Sequence, residues 1–193
     1  MIEAFQNARL ALDAVMADER NSATLASAAD MLADSLKSGG KILACGNGGS
    51  ACDAMHFCEE ITGRFRQDRP ALAAVSLTDV GHLTCVANDY GYAEVFARGV
   101  QALGQPGDVL VALSTSGNSR NVIRAVEEAG SRDVRTIGLL GRDDGTLAGV
   151  CDPEWILPGV PADSPTADRI HELHIRILHA LVAGRDPRHV GHS

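Results

Sequence analysis

Between residues 5 and 16 the apolar positions Phe5, Ala8, Leu12, Val15 and Met16 recur at three- and four-residue spacings, which predicts an amphipathic helix. A second helix carries the same pattern through Leu25, Ala28, Met31, Leu32 and Leu36, with Asn21 or Ser22 as its cap and Ser38-Gly39-Gly40 as its stop. The pattern then changes. Short apolar runs at 41–45, 71–77, 108–113, 134–140 and 154–157 read as buried strands. Helical spacing returns at 51–62, 79–86, 92–103 and 121–129, and a last helix is expected at roughly 166–182. Asn88-Asp89-Tyr90-Gly91 reads as a polar turn, and the Pro- and Gly-rich run 158–165 reads as a linker.

Strand and helix alternate, so the expected fold class is α/β: a three-layer sandwich of five parallel strands between helices, with right-handed connections. Its 193 residues suit a single domain. Within it, residues 1–38 would form N-terminal helices used in oligomerisation, 41–183 the sheet-helix core and last helix, and 184–193 a frayed tail. In such sheets ligands bind beyond the carboxyl ends of the strands.

Two of those ends carry loops suited to a phosphate. The first strand runs into Cys45-Gly46-Asn47-Gly48-Gly49-Ser50, whose glycines let backbone amides approach a ligand at a helix start. The third runs into Ser114-Thr115-Ser116-Gly117-Asn118-Ser119, where four hydroxyls could surround a phosphoryl group without any lysine. The first loop lacks the later glycine of GxGxxG, so it does not read as a dinucleotide site.

Charge narrows the class. A formal net charge of −8 argues against a nucleic-acid or anionic-membrane binder. No stretch approaches the roughly 18 apolar residues of a membrane span, and the first twenty residues show no targeting pattern, which points to the cytoplasm. Five cysteines without regular spacing read as thiols in a reducing compartment.

On the helix after the glycine loop, His56 and Glu60 stand four apart and share a face, within reach of one metal ion or one substrate. An exposed helical pair would look the same. His171 and His179 on the last helix are eight apart and lie broadly on one side, with His174 between them; backbone or water could satisfy these rings equally well. Taken with two phosphate-type loops at the same end of the sheet, the pairs suit a phosphorylated substrate worked on by a carboxylate base and an imidazole acid.

These segments, with Cys52-Asp53-Ala54-Met55-His56-Phe57, Glu59-Glu60-Ile61-Thr62-Gly63-Arg64, Ala87-Asn88-Asp89-Tyr90-Gly91-Tyr92 and Gly107-Asp108-Val109-Leu110, resemble the sugar-isomerase (SIS) family, which is flavodoxin-like in fold. Within it they are similar to the sedoheptulose-7-phosphate isomerases, or phosphoheptose isomerases. The resemblance implies a cytoplasmic homotetramer with shared active sites that converts D-sedoheptulose 7-phosphate to D-glycero-D-manno-heptose 7-phosphate, the first step towards nucleotide-activated heptose for lipopolysaccharide. It implies Glu60 as base and His179 as opposing acid/base. Asn47, Gly48 and Gly49 would contact substrate, and Ser50, Ser114, Thr115, Ser116 and Ser119 would hold its phosphate. Asn88, Asp89, Arg64 and Asp168 would line the sugar, and His171 would also face the substrate. One zinc ion per subunit is implied, on His56, Glu60, His171 and His179.

The chain departs from the family in Arg169-Ile170-His171-Glu172, where a glutamine is usual at the third position. Imidazole is the better zinc ligand, so the exchange could tighten a metal site or shift substrate contacts. A non-catalytic SIS module that associates with a replication initiator would share the phosphate loops but lack Glu60 and His179. An isomerase of another ketose phosphate would share both.

Overall fold

The computed structural model describes residues 2–141, 145–157 and 167–184. Two helices, α1 (Ile2–Ala17) and α2 (Arg20–Lys37), precede β1 (Ile42–Cys45). The chain continues through α3 (Gly49–Thr62), β2 (Ala74–Ser76), α4 (Val80–Tyr90), a 3-10 turn (Tyr92–Glu94) and α5 (Val95–Leu103). It ends with β3 (Val109–Ser114), α6 (Arg120–Gly130), β4 (Arg135–Gly141), β5 (Glu154–Leu157) and α7 (Ala167–Gly184).

The five strands form one parallel sheet in the order β2-β1-β3-β4-β5, as expected of a flavodoxin-like α/β sandwich. Chain direction across the sheet reverses between β1 and β3, so the loops after these strands flank the switch point. Alternation along the strands divides the core. Ile42 and Ala44 of β1, with Val109, Val111 and Leu113 of β3, face α2, α3 and α7. Leu43, Cys45, Leu110 and Ala112 face α4, α5 and α6.

At the amino ends of the strands the buried Asp108 carboxylate accepts from Lys41 N (2.9 Å), Lys41 Nζ (2.6 Å) and Gln105 N (2.9 Å). These bonds pin the start of β1 to the start of β3, where Ile42 is in register with Val109.

Several boundaries differ from expectation. Asn88, Asp89 and Tyr90 are the last turn of α4, not a turn outside it, because buried Val86 carries the helical face on to Gly91 at φ +88°. Residues 92–103 split into the 3-10 turn and α5. Neither Asn21 nor Ser22 caps α2: it starts at Arg20, whose N–H is taken by the Asp18 carboxylate, and Asn21 Nδ2 donates to Val15 O instead. β2 keeps only the middle of 71–77, as an edge strand paired to β1 alone. The expected linker at 158–165, residue 166 and the tail from 185 lie outside the described residues.

Candidate active site

Both loops sit at the carboxyl edge of the central strands. Gly48 precedes α3 with φ +54°, a conformation that favours glycine, and Ser50 in the first turn is buried. Asn47 is held by a reciprocal amide pair: its Nδ2 donates to Asn121 Oδ1, and Asn121 Nδ2 donates back to Asn47 Oδ1, both at 2.8 Å. Tyr92 Oη donates to the same Asn47 Oδ1 at 2.9 Å. Asn121 belongs to the first turn of α6, directly after the hydroxyl loop, so this pair ties the two loops together.

In the hydroxyl loop Ser114 Oγ donates to Ser119 Oγ at 3.1 Å, and the Ser116 hydroxyl accepts from Asn118 N at 3.2 Å. Asn118 Oδ1 accepts from both the N–H and the hydroxyl of Thr146, which fastens the loop to the segment after β4.

Helices α3 and α7 pack side by side against the same sheet face and run in the same direction. Their seam gathers two groups of donors. In the first, His56 Nε2 lies 2.9 Å from His179 Nε2 and 3.5 Å from Glu60 Oε1. Glu59 Oε2 approaches the other ring nitrogen of His56 at 3.4 Å, and the Phe65 ring lies 5.8 Å from that of His179. One chain therefore assembles the expected base, the expected acid/base and a third donor.

In the second, His171 Nδ1 meets Asp53 Oδ2 at 3.0 Å, and His174 stands beside them with its ring 6.1 Å from that of His171. Burial pushes the Asp53 carboxyl up, against the opposing pull of the His171 hydrogen bond. Burial, aided by the neighbouring His171, pushes the His174 imidazole down to about 3, so it is neutral at pH 7.

The seam thus brings His56, Glu60 and His179 together and places His171 in the other group. The reason is helical geometry. Eight residues carry the chain about 12 Å along a helix and about 80° around it, too far for His171 and His179 to meet one point at this packing. Arg64, Asn88, Asp89 and Asp168 are exposed; Asn88 donates to Asp89, and Asp168 pairs with Arg169. Sequence reasoning missed Asp53, Asn121, Tyr92 and the buried state of His174. Asp53 was detectable, lying three residues before His56 and seven before Glu60 on one helical face; the others depend on contacts between distant segments.

The family profile described as SIS domain matches residues 5–141. The chain belongs to the SIS-domain family. It is 54% identical over 156 residues to the phosphoheptose isomerase of Fusobacterium nucleatum, which spans 81% of this chain and 78% of that protein. With the phosphoheptose isomerase of Haemophilus ducreyi it shares 50% over 177 residues, 92% of this chain and 89% of the relative. The structure of phosphoheptose isomerase from Neisseria gonorrhoeae superposes with a TM-score of 0.85 at 42% identity, over 96% of this chain and 97% of the other. This SIS protein is accordingly an isomerase enzyme, and its substrate class is the sugar phosphates. Among the described residues no helix is long and apolar enough to cross a membrane.

Proposed function

We propose that this isomerase converts D-sedoheptulose 7-phosphate to D-glycero-D-manno-heptose 7-phosphate through a cis-enediol, in the cytoplasm, as the first step towards nucleotide-activated heptose for lipopolysaccharide. The observation that carries the chemistry is the half-exposed group of Glu60, His56 and His179 on the seam beside two phosphate-type loops. The heptose reading draws on the names of relatives at about half identity.

The aldose-ketose exchange needs a proton moved from C1 to C2 and another from the oxygen on C1 to the oxygen on C2. Glu60 takes the C1 proton as a carboxylate and returns it at C2, and His179 passes the proton between the two oxygens. Ser50, Ser114, Thr115, Ser116 and Ser119 hold the phosphate, with Asn47, Gly48 and Gly49 against the sugar. Asn121 and Tyr92 keep the Asn47 amide fixed, so orientation is set before substrate arrives. Arg64, Asn88, Asp89, Asp168 and His171 complete the pocket.

The donors of His56, Glu60 and His179 lie within 4.8 Å of one another. Two imidazoles and a carboxylate are a fitting set for zinc with an open position. When bound, zinc would supply Lewis-acid polarisation of the substrate's carbonyl region.

Helix α1 supports the proposed homotetramer with shared sites. Ile2, Phe5 and Met16 are exposed at 74%, 74% and 72%. A groove of about 570 Å³ is lined by Met16 with Leu12, Val15, Leu25, Trp155 and Leu173. Apolar surface of this kind suits a bundle between copies. Sedimentation velocity at micromolar concentration should show a tetramer; a stable monomer would remove this part of the reading.

The test of the reaction is incubation with sedoheptulose 7-phosphate in deuterated water, followed by NMR and mass spectrometry. An aldoheptose 7-phosphate carrying deuterium at C2 is expected. Failure to convert it, with turnover of a hexulose phosphate under the same conditions, would assign a different ketose phosphate.

A further inference from the structure

The isomerisation makes no use of the Asp53 carboxylate or of His174, and His174 is the more telling of the two. It is fully buried, and among the described residues neither Nδ1 nor Nε2 has a hydrogen-bond partner. Buried polar groups are almost always satisfied, so an imidazole left with both nitrogens unpaired calls for something that completes it. An Asp53–His171 hydrogen bond would account for those two residues by itself, yet it would leave His174 as it is. One donor atom each from Asp53, His171 and His174 lies within 4.8 Å of the others. Two imidazoles and a carboxylate favour a divalent first-row transition ion over magnesium or calcium, which prefer oxygen ligands.

We propose that Asp53, His171 and His174 bind a second divalent transition-metal ion, of the zinc class, separate from the His56, Glu60 and His179 group. Asp53 comes from the first turns of α3 and both histidines from the start of α7, so the ion cross-links the two helices at that end of the seam. His171 Nε2 lies against the backbone of Gly49, where a Cβ would stand only 2.7 Å away. Fixing the His171 ring therefore also fixes the wall behind the glycine loop. With His174 fully buried between the helices and Asp53 and His171 partly covered, the ion acts as a structural clamp. The proposal does not depend on which ketose phosphate is turned over.

The test uses the full-length protein, stripped with chelator and titrated with Co²⁺, read by visible absorption and by metal content after desalting. Asp53→Asn/His171→Gln should bind one tight equivalent fewer than the unmodified chain; an unchanged count overturns the proposal. His56→Ala/Glu60→Gln should keep one tight equivalent, and its melting temperature should rise on adding Co²⁺. Adding Asp53→Asn to that variant should abolish both. Loss of all tight Co²⁺ in His56→Ala/Glu60→Gln would show a single shared site and overturn the proposal. If that variant does not fold, the count for Asp53→Asn/His171→Gln decides.

Discussion

The seam between α3 and α7 holds two groups of the same residue types that differ in one buried imidazole. His56 and Glu60 keep 40% and 18% of their side-chain surface exposed, and with His179 they are close enough to satisfy one another. His174 has no exposure and, among the described residues, no hydrogen-bond partner, while Asp53 and His171 beside it are partly covered. Residue type and helical spacing do not separate the two groups. One imidazole does: His174 is fully buried, while all three members of the other, open group keep some exposed surface. The proposed base and acid must reach the substrate and exchange protons, and the partial exposure of Glu60 and His179 suits that role. The other group, with His174 shut away from solvent, offers donors to an ion.

The strongest way to break this comparison is Glu60→Gln. Turnover should fall about 10²- to 10⁴-fold with KM little changed, measured by steady-state kinetics on sedoheptulose 7-phosphate. Retained turnover would take the base role from the open group. His179→Ala should cost roughly 10²-fold in kcat, and unaltered rates would hand proton transfer to His171 in the other group.

Smaller effects sharpen the contrast. Asn121→Ala removes the partner of Asn47, and kcat/KM should drop about tenfold, for a lost hydrogen bond of roughly 1.4 kcal/mol. A normal value would mean that Asn47 needs no support. His174→Leu should raise the stability of chelator-treated protein by about 1 kcal/mol, since it replaces an unsatisfied buried group with an apolar one of similar size. For a chain of this length that is a gain of roughly 2–4 °C in Tm. A lower Tm under chelator would show that the ring nitrogens are satisfied by something other than a metal.

Much of the fold was legible because burial imposes a period. The runs 108–113 and 134–140 are apolar throughout, as strands covered on both faces must be, and their parallel pairing followed from the helices between them. Local chemistry was less legible. Asn88-Asp89-Tyr90 looked like a turn, but one buried residue, Val86, holds that stretch in α4. The first N–H of α2, that of Arg20, is taken by the Asp18 carboxylate and not by Asn21 or Ser22. His56 and Glu60 could be paired from spacing because both lie on one helix.

By itself, then, the sequence determined the α/β class, the two loops at the carboxyl ends of strands and the pairing of His56 with Glu60. All of these rest on neighbours along the chain or on one repeating period. Only the tertiary structure decided that His179 meets His56, that His171 turns to Asp53, and that His174 is buried without a hydrogen-bond partner among the described residues. Those outcomes depend on the rotation and offset of α7 against α3. That docking is set by the side chains between the helices and the sheet, which no spacing within either helix records.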